Sequence, residues 1–256
     1  MKSKLNTLSL SVALIALAGC ASTAQPGKST TLGENLNGSG FLADIYPQMK
    51  DGQDGEALRL YRNPKFASPA LFKQYSKVFL EPVKLYAAAG SQLHKVPQDE
   101  SAAIAQGFYQ QLHEKLGKDY QMVDQAGPNT LQVSVAIVDA EEADASLKAA
   151  SYIPIPIGLP GAKAAAMQGM IHTSGKPPFT GQVTIEGKMA DAQTGEVIAA
   201  EIDRRVGARH PIYGLFESNT YDSWSDVSEA NRYWAEQLRY RLCMRRAASN
   251  CVEASE

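Results

Sequence analysis

The sequence predicts an α+β domain: a roughly five-strand, mostly antiparallel sheet with two amphipathic helices packed on one face. The order is β-α-β-β, an excursion, then β-β-α. Three observations predict it. Residues 130–138 alternate, with Leu131, Val133, Val135 and Ile137 on one side, which is the period of a half-buried strand. Asp191-Ala192-Gln193-Thr194-Gly195-Glu196 separates two apolar runs and has the Asp start and tight-position Gly of a hairpin turn. Residues 97–116 and 224–248 instead place apolar side chains every three or four positions, the helical period. Sheet segments in antiparallel runs, joined to two such helices, form a two-layer architecture.

The chain has 256 residues, is 44% hydrophobic and 20% charged, and carries a formal net charge of −2. Such a composition belongs to a folded domain and excludes disorder over most of the length. Residues 1–19 are read as a leader, with a positive start at Lys2 and Lys4, a short apolar run, and small residues before Cys20. The run is shorter than the roughly 20 residues that span a bilayer. Loss of the two leader lysines leaves 23 basic and 27 acidic residues, net −4, which gives no reason to expect a nucleic-acid partner.

Leu17-Ala18-Gly19-Cys20 resembles the lipobox of bacterial lipoproteins. The resemblance implies that Cys20 is acylated and becomes the first mature residue. It also implies the periplasmic face of the outer membrane, because Ala21 and Ser22 follow where an Asp would favour inner-membrane retention. Several acyl chains hold lastingly where one holds marginally. Residues 20–40, rich in Gly, Ser and Thr, are expected to form a flexible tether with a root-mean-square span of about 25 Å. One domain, 41–256, follows.

Residues 41–47 are the first apolar entry, read as an irregular arm. Residues 58–61 alternate briefly as an edge strand, and Asn63-Pro64 turns the chain. Residues 75–86 have a strand pattern with Pro82 as a bulge or edge position. In the helix over 97–116, Ile104, Phe108, Leu112 and Leu116 recur every four residues, and Gly117 follows as its stop. Residues 120–123 are a short strand, expected to form an antiparallel hairpin with 130–138 across Gly127-Pro128-Asn129. The preceding β-α-β order also permits a parallel pair through a right-handed crossover.

The excursion, 151–178, holds Ile153, Ile155 and Ile157 between prolines and then a small-residue run containing Lys163. It is the leading candidate for ligand or partner contact, against the plainer reading of a cover for the sheet. Strands over 182–190 and 197–206 flank the Asp191 turn. The last helix, from 224 to about 248, opens with a capping-box-like Ser223 and Asp226 and crowds Arg239, Arg241, Arg245 and Arg246 at its negative end. Cys243 and Cys251 are expected to pair as a disulfide in an oxidising compartment.

Taken together, Gly40-Phe41-Leu42, Asp44, Asn63-Pro64, Gly127-Pro128, Thr130-Leu131, Ile185-Glu186, Asp191, Thr194-Gly195-Glu196, Asp203-Arg204-Arg205, Trp224 and Trp234-Ala235 resemble a family of uncharacterised Gram-negative lipoproteins known as a domain of unknown function. The resemblance covers nearly the whole mature chain and implies fold boundaries and address, with no activity. The family pattern has Tyr directly after the Asp near Phe41; here Ile45 precedes Tyr46.

Motifs for chemistry are sparse. His113-Glu114-Lys115-Leu116 lacks the second ligand of a zinc helix, and no Gly-x-Ser-x-Gly elbow occurs. Gly158 to Lys163 has the wrong glycine spacing for a phosphate loop. The acids from Asp139 to Asp144 are expected to form a solvated turn rather than a calcium loop. Asp203-Arg204-Arg205 is read as a strand whose charges pair with Glu186 or Glu201; a site for an anionic ligand at Arg204 and Arg205 is the sharper alternative. No cofactor, metal or catalytic residue is assigned. The expectation is a non-catalytic binding or accessory subunit of an envelope assembly, held to the outer membrane through Cys20. A carrier of a small apolar or anionic ligand and a hydrolase with an unrecognised site are the alternatives.

Overall fold

A computed structural model describes residues 23–25, 39–143, 180–207 and 224–254. Their strands are β1 (Thr23–Ala24), β2 (Lys50–Asp51), β3 (Arg59–Arg62), β4 (Lys77–Leu80), β5 (Lys84–Leu85), β6 (Gln121–Val123), β7 (Thr130–Glu141), β8 (Gln182–Asp191) and β9 (Val197–Gly207). The helices are α1 (Pro69–Phe72), α2 (Gln98–Leu116) and α3 (Ser225–Arg245). The domain is α+β, as the sequence predicts, but its sheet is nine-stranded and mixed rather than five-stranded and mostly antiparallel.

The strand order is β2-β3-β9-β8-β7-β4-β6. From β2 to β7 every neighbour is antiparallel, whereas β4 runs parallel to both β7 and β6. The predicted hairpin between 120–123 and 130–138 is therefore wrong. β4 lies between these strands, and α2 makes β4 and β6 a parallel pair. Pro82 has no N–H to give a ladder and divides the 75–86 run; β5 resumes pairing with β7 after it. β3 is flanked by β2 and β9, so the edge on this side is β2.

Two apolar cores sandwich the sheet. On one face Phe108 and Leu112 of α2, with Val227, Trp234 and Leu242 of α3, pack on Val133, Ile137, Val183 and Ile185. On the other, the arm residues Leu42, Ile45 and Met49 cover Ala136, Val138, Ala200 and Ile202. β7 is thus buried on both sides rather than half-buried. A register shift between Ile137 and Asp139 inserts Val138, so Ile137 and Ala140 both face the helices despite their odd spacing. A second shift puts Ile198 on the helix face while Ala200 and Ile202 face the arm.

The predicted tether is corrected at its start. Thr23 and Ala24 pair with Gly207 and Val206, and Thr23 is buried. The α3 N-cap is Trp224, with no side-chain cap, and the Asp226 carboxylate accepts from the Gly181 N–H at 2.8 Å. Ser223 lies outside the described residues. Cys243 and Cys251 are joined by a disulfide, with Cα atoms 5.6 Å apart.

The β8–β9 turn is built as its sequence dictates. Asp191 Oδ1 accepts from the N–H groups of Gln193 and Thr194, and Gly195 takes φ +73°. A Cβ at Gly195 would meet no atom within 4 Å, so Ala there costs conformation alone. Gly195→Ala should lower stability by about 1–2 kcal/mol, measured by urea unfolding, with the hairpin retained.

Candidate binding cavity and the buried charges around it

The helical layer does not close on the sheet everywhere. A cavity of about 620 Å³ lies between α2, α3 and the strands β3, β7, β8 and β9. Its origin is local. Gly187 supplies no side chain on β8, and Ala199 supplies only a methyl on β9. A Cβ built on Gly187 would find its nearest atom, Glu201 Cγ, 3.8 Å away.

The α3 face lining this space is graded along the helix. Trp234 and Leu238 are apolar, Gln237 is an amide, and Arg241 and Arg245 are cations one and two turns further on. Gln237 is 7% exposed, and its Oε1 has no hydrogen-bond partner among the described residues. Arg241 pairs with Glu201. Arg62, on β3, pairs with Glu56 at 2.7 Å. Arg245 has no carboxylate within ion-pair distance among the described residues. Its guanidinium lies 5.2 Å from the Phe72 ring and 3.5 Å from the Phe66 carbonyl. Burial, then the neighbouring Arg62 charge, lowers its pKa below that of a free guanidinium.

The most deeply buried charges are structural. Asp203 accepts from Trp234 Nε1 at 2.7 Å and Gln25 Nε2 at 2.6 Å, and from the Leu58 N–H at 3.3 Å. Burial nonetheless raises its pKa. Glu186, fully buried on the arm face, accepts from Tyr46 Oη at 2.8 Å and Ser39 Oγ at 2.9 Å. Burial raises its pKa too, against the opposing effect of those donors.

The arginines singled out by sequence are separated by the strand pleat. Arg204 reaches Thr184 Oγ1 at 2.8 Å and Asp139 at 3.5 Å on the arm side. Burial lowers its pKa against the pull of Asp139 and Glu141. Arg205, on the helix side, donates to Thr23 Oγ1 at 2.9 Å and to the Thr23 carbonyl at 2.6 Å. It also stacks 3.6 Å from the Tyr233 ring centre. The expected pairing with Glu186 or Glu201 is therefore replaced: Asp139 takes Arg204, Arg241 takes Glu201, and Glu186 is held by hydroxyls. Asp139 is also no solvated turn residue. It is buried and accepts from Ser91 Oγ and the Gln92 N–H. Ile153, Ile155, Ile157, Lys163 and Cys20 lie outside the described residues.

Arg241 and Arg245 escaped the sequence reading because helix-end arginines are explained by the helix dipole. Their spacing from Trp234 and Leu238 was the available signal: 234, 238, 241 and 245 share one face. Gly187, isolated within a strand, was the second.

Fold and cavity together define a mixed-sheet α+β domain with a graded apolar-to-basic space under its helices. The chain belongs to the family described as protein of unknown function (DUF3313), whose model matches residues 37–238. None of the curated proteins matches it. Among solved structures it is similar to a PelC dodecamer from Paraburkholderia phytofirmans, with 11% identity, TM-score 0.35, and 75% of this chain and 97% of that one covered. The hypothetical protein CT253 from Chlamydia trachomatis gives 11%, 0.36, 66% and 99%. A putative neuraminyllactose-binding hemagglutinin homolog from Helicobacter pylori gives 9%, 0.37, 78% and 94%. These likenesses are too distant to define a role.

A carboxyl whose native pKa is raised binds its proton more tightly folded than unfolded. Stability therefore falls as pH rises from the unfolded value, near 4.5, through the raised one. Glu186→Gln removes that titration while keeping an acceptor for Tyr46 and Ser39. Urea unfolding of both proteins at pH 4.5 and pH 8 should show the variant gaining stability relative to the wild type at the higher pH. A pH-independent difference would mean that Glu186 does not titrate in this window.

Proposed function

We propose that this chain is a non-catalytic binding protein, lipid-anchored through Cys20 to the periplasmic face of the outer membrane after removal of residues 1–19. The cavity carries the binding part of this reading. Its volume of about 620 Å³ falls in the range of about 300–1,000 Å³ occupied by small-molecule sites. It favours a carrier of a small ligand over an accessory subunit of an envelope assembly. The large apolar side chains exposed among the described residues are Leu71, Leu85, Tyr86, Met244 and Val252, a thin basis for a protein-docking patch. Among the cavity's acids, Glu201 is committed to Arg241, which supports binding over acid–base chemistry.

The docking of β1 bears on the anchor. Thr23 is the third residue after Cys20, a reach of about 10 Å. A lipidated chain is then held close against the bilayer instead of floating on a 20-residue tether.

Metabolic labelling with palmitate and density-gradient fractionation test the anchor. The wild-type chain should carry label and travel with outer membranes; Cys20→Ser should lose both. An unlabelled wild-type chain would sink the anchor. Arg205→Met removes both bonds to Thr23 and should speed limited proteolysis at Thr23–Gln25, with the domain core unchanged. Crosslinking that reproducibly recovers one envelope protein with the lipidated chain would restore the accessory-subunit role.

A further inference from the structure

We infer that the cavity under α3 is a site for a single-chain acidic amphiphile, a fatty-acid-like anion whose chain enters the apolar end and whose head meets Arg245. The inference rests on reading the cavity as a ligand site and names the ligand's chemistry.

The inner wall supplies the chain end. Phe108 and Leu112 of α2, Val133 of β7, Ile185 of β8 and Trp234 of α3 surround it. The other end supplies charge. Arg62 there is matched by Glu56, while Arg245 has no carboxylate within ion-pair distance among the described residues. An anion placed there gives Arg245 a counter-charge and replaces its long contact with the Phe66 carbonyl by a charge-assisted hydrogen bond. The acids lining the cavity are Asp54, Glu201 and Glu253, of which Glu201 is neutralised by Arg241.

Apolar walls alone suit any oily molecule. An apolar wall and, further along the same helix, a cation with no ion-pair partner among the described residues select a molecule with a chain at one end and an acid at the other.

Titration calorimetry on the full chain carrying Cys20→Ser, so that no acyl group of its own competes, tests this with dodecanoate as probe. Dodecanoate should bind at one site per chain. Decanoate, two methylenes shorter, should bind about fifteenfold more weakly, at about fourfold per buried methylene. Dodecanol should bind at least about tenfold more weakly than dodecanoate, and Arg245→Gln should cost dodecanoate a similar factor, through loss of the charge-assisted bond. Gly187→Leu fills the cavity and should abolish binding without lowering the melting temperature; Ala199→Phe is the second filling variant. Equal affinity for decanoate and dodecanoate, or binding indifferent to Arg245→Gln and to both filling variants, would overturn the proposal.

Native mass spectrometry of the chain purified from cells separates the two levels. A bound molecule without an acid and a chain, lost in Gly187→Leu, would overturn the ligand class and leave the carrier reading intact. No bound molecule together with no probe binding would overturn both.

Discussion

The carboxylate of Asp203 is the interaction on which the rest of the domain depends. It sits in the middle of β9 and collects the indole N–H of Trp234 from α3, the amide of Gln25 beyond β1, and the backbone N–H of Leu58 at the start of β3. One buried acid therefore fixes α3, the N-terminal strand and the outer sheet edge to the same strand. A buried charge costs several kcal/mol unless its lone pairs are matched. The cost is offset only when all three elements are in place, which couples their positions to one another.

Much of the fold is legible because it is local. The helix over 97–116, the β8–β9 hairpin and its Asp191 turn are written in short-range periodicity and turn chemistry. The strand neighbours of β4 are not. β6 and β7 are separated by Gly127-Pro128-Asn129, which has the composition of a hairpin turn, yet β4 inserts between them from some 50 residues earlier. Nothing in a four-residue strand such as Lys77–Leu80 encodes which neighbours it takes. β7 was misread as one-sided for a different reason. Gln132 and Ser134 make its second face look polar, while Ala136 and Val138, further along, are the part the arm covers.

The site was less legible than the fold. Arg204 and Arg205 drew notice as an adjacent pair, but alternation along a strand sends them to opposite faces, where each serves a different structural contact. The cavity depends on what is missing from Gly187 and Ala199, and an absent side chain registers weakly in composition. The tether was misread because two small residues, Thr23 and Ala24, have no apolar signature; their place is set by Arg205, more than 180 residues away.

β9 also acts as a ruler. Its C-terminal end, at Gly207, holds β1 and so, in the proposed lipoprotein, the chain leading to the acylated residue. Near its N-terminal end, Ala199 pairs with Arg62 of the basic mouth. Eight residues at about 3.3 Å each set these points roughly 26 Å apart. The Debye length at physiological ionic strength is about 8 Å. In the proposed lipoprotein the anchored edge and the mouth are thus some three screening lengths apart along the strand, too far for fixed charges at one point to govern those at the other.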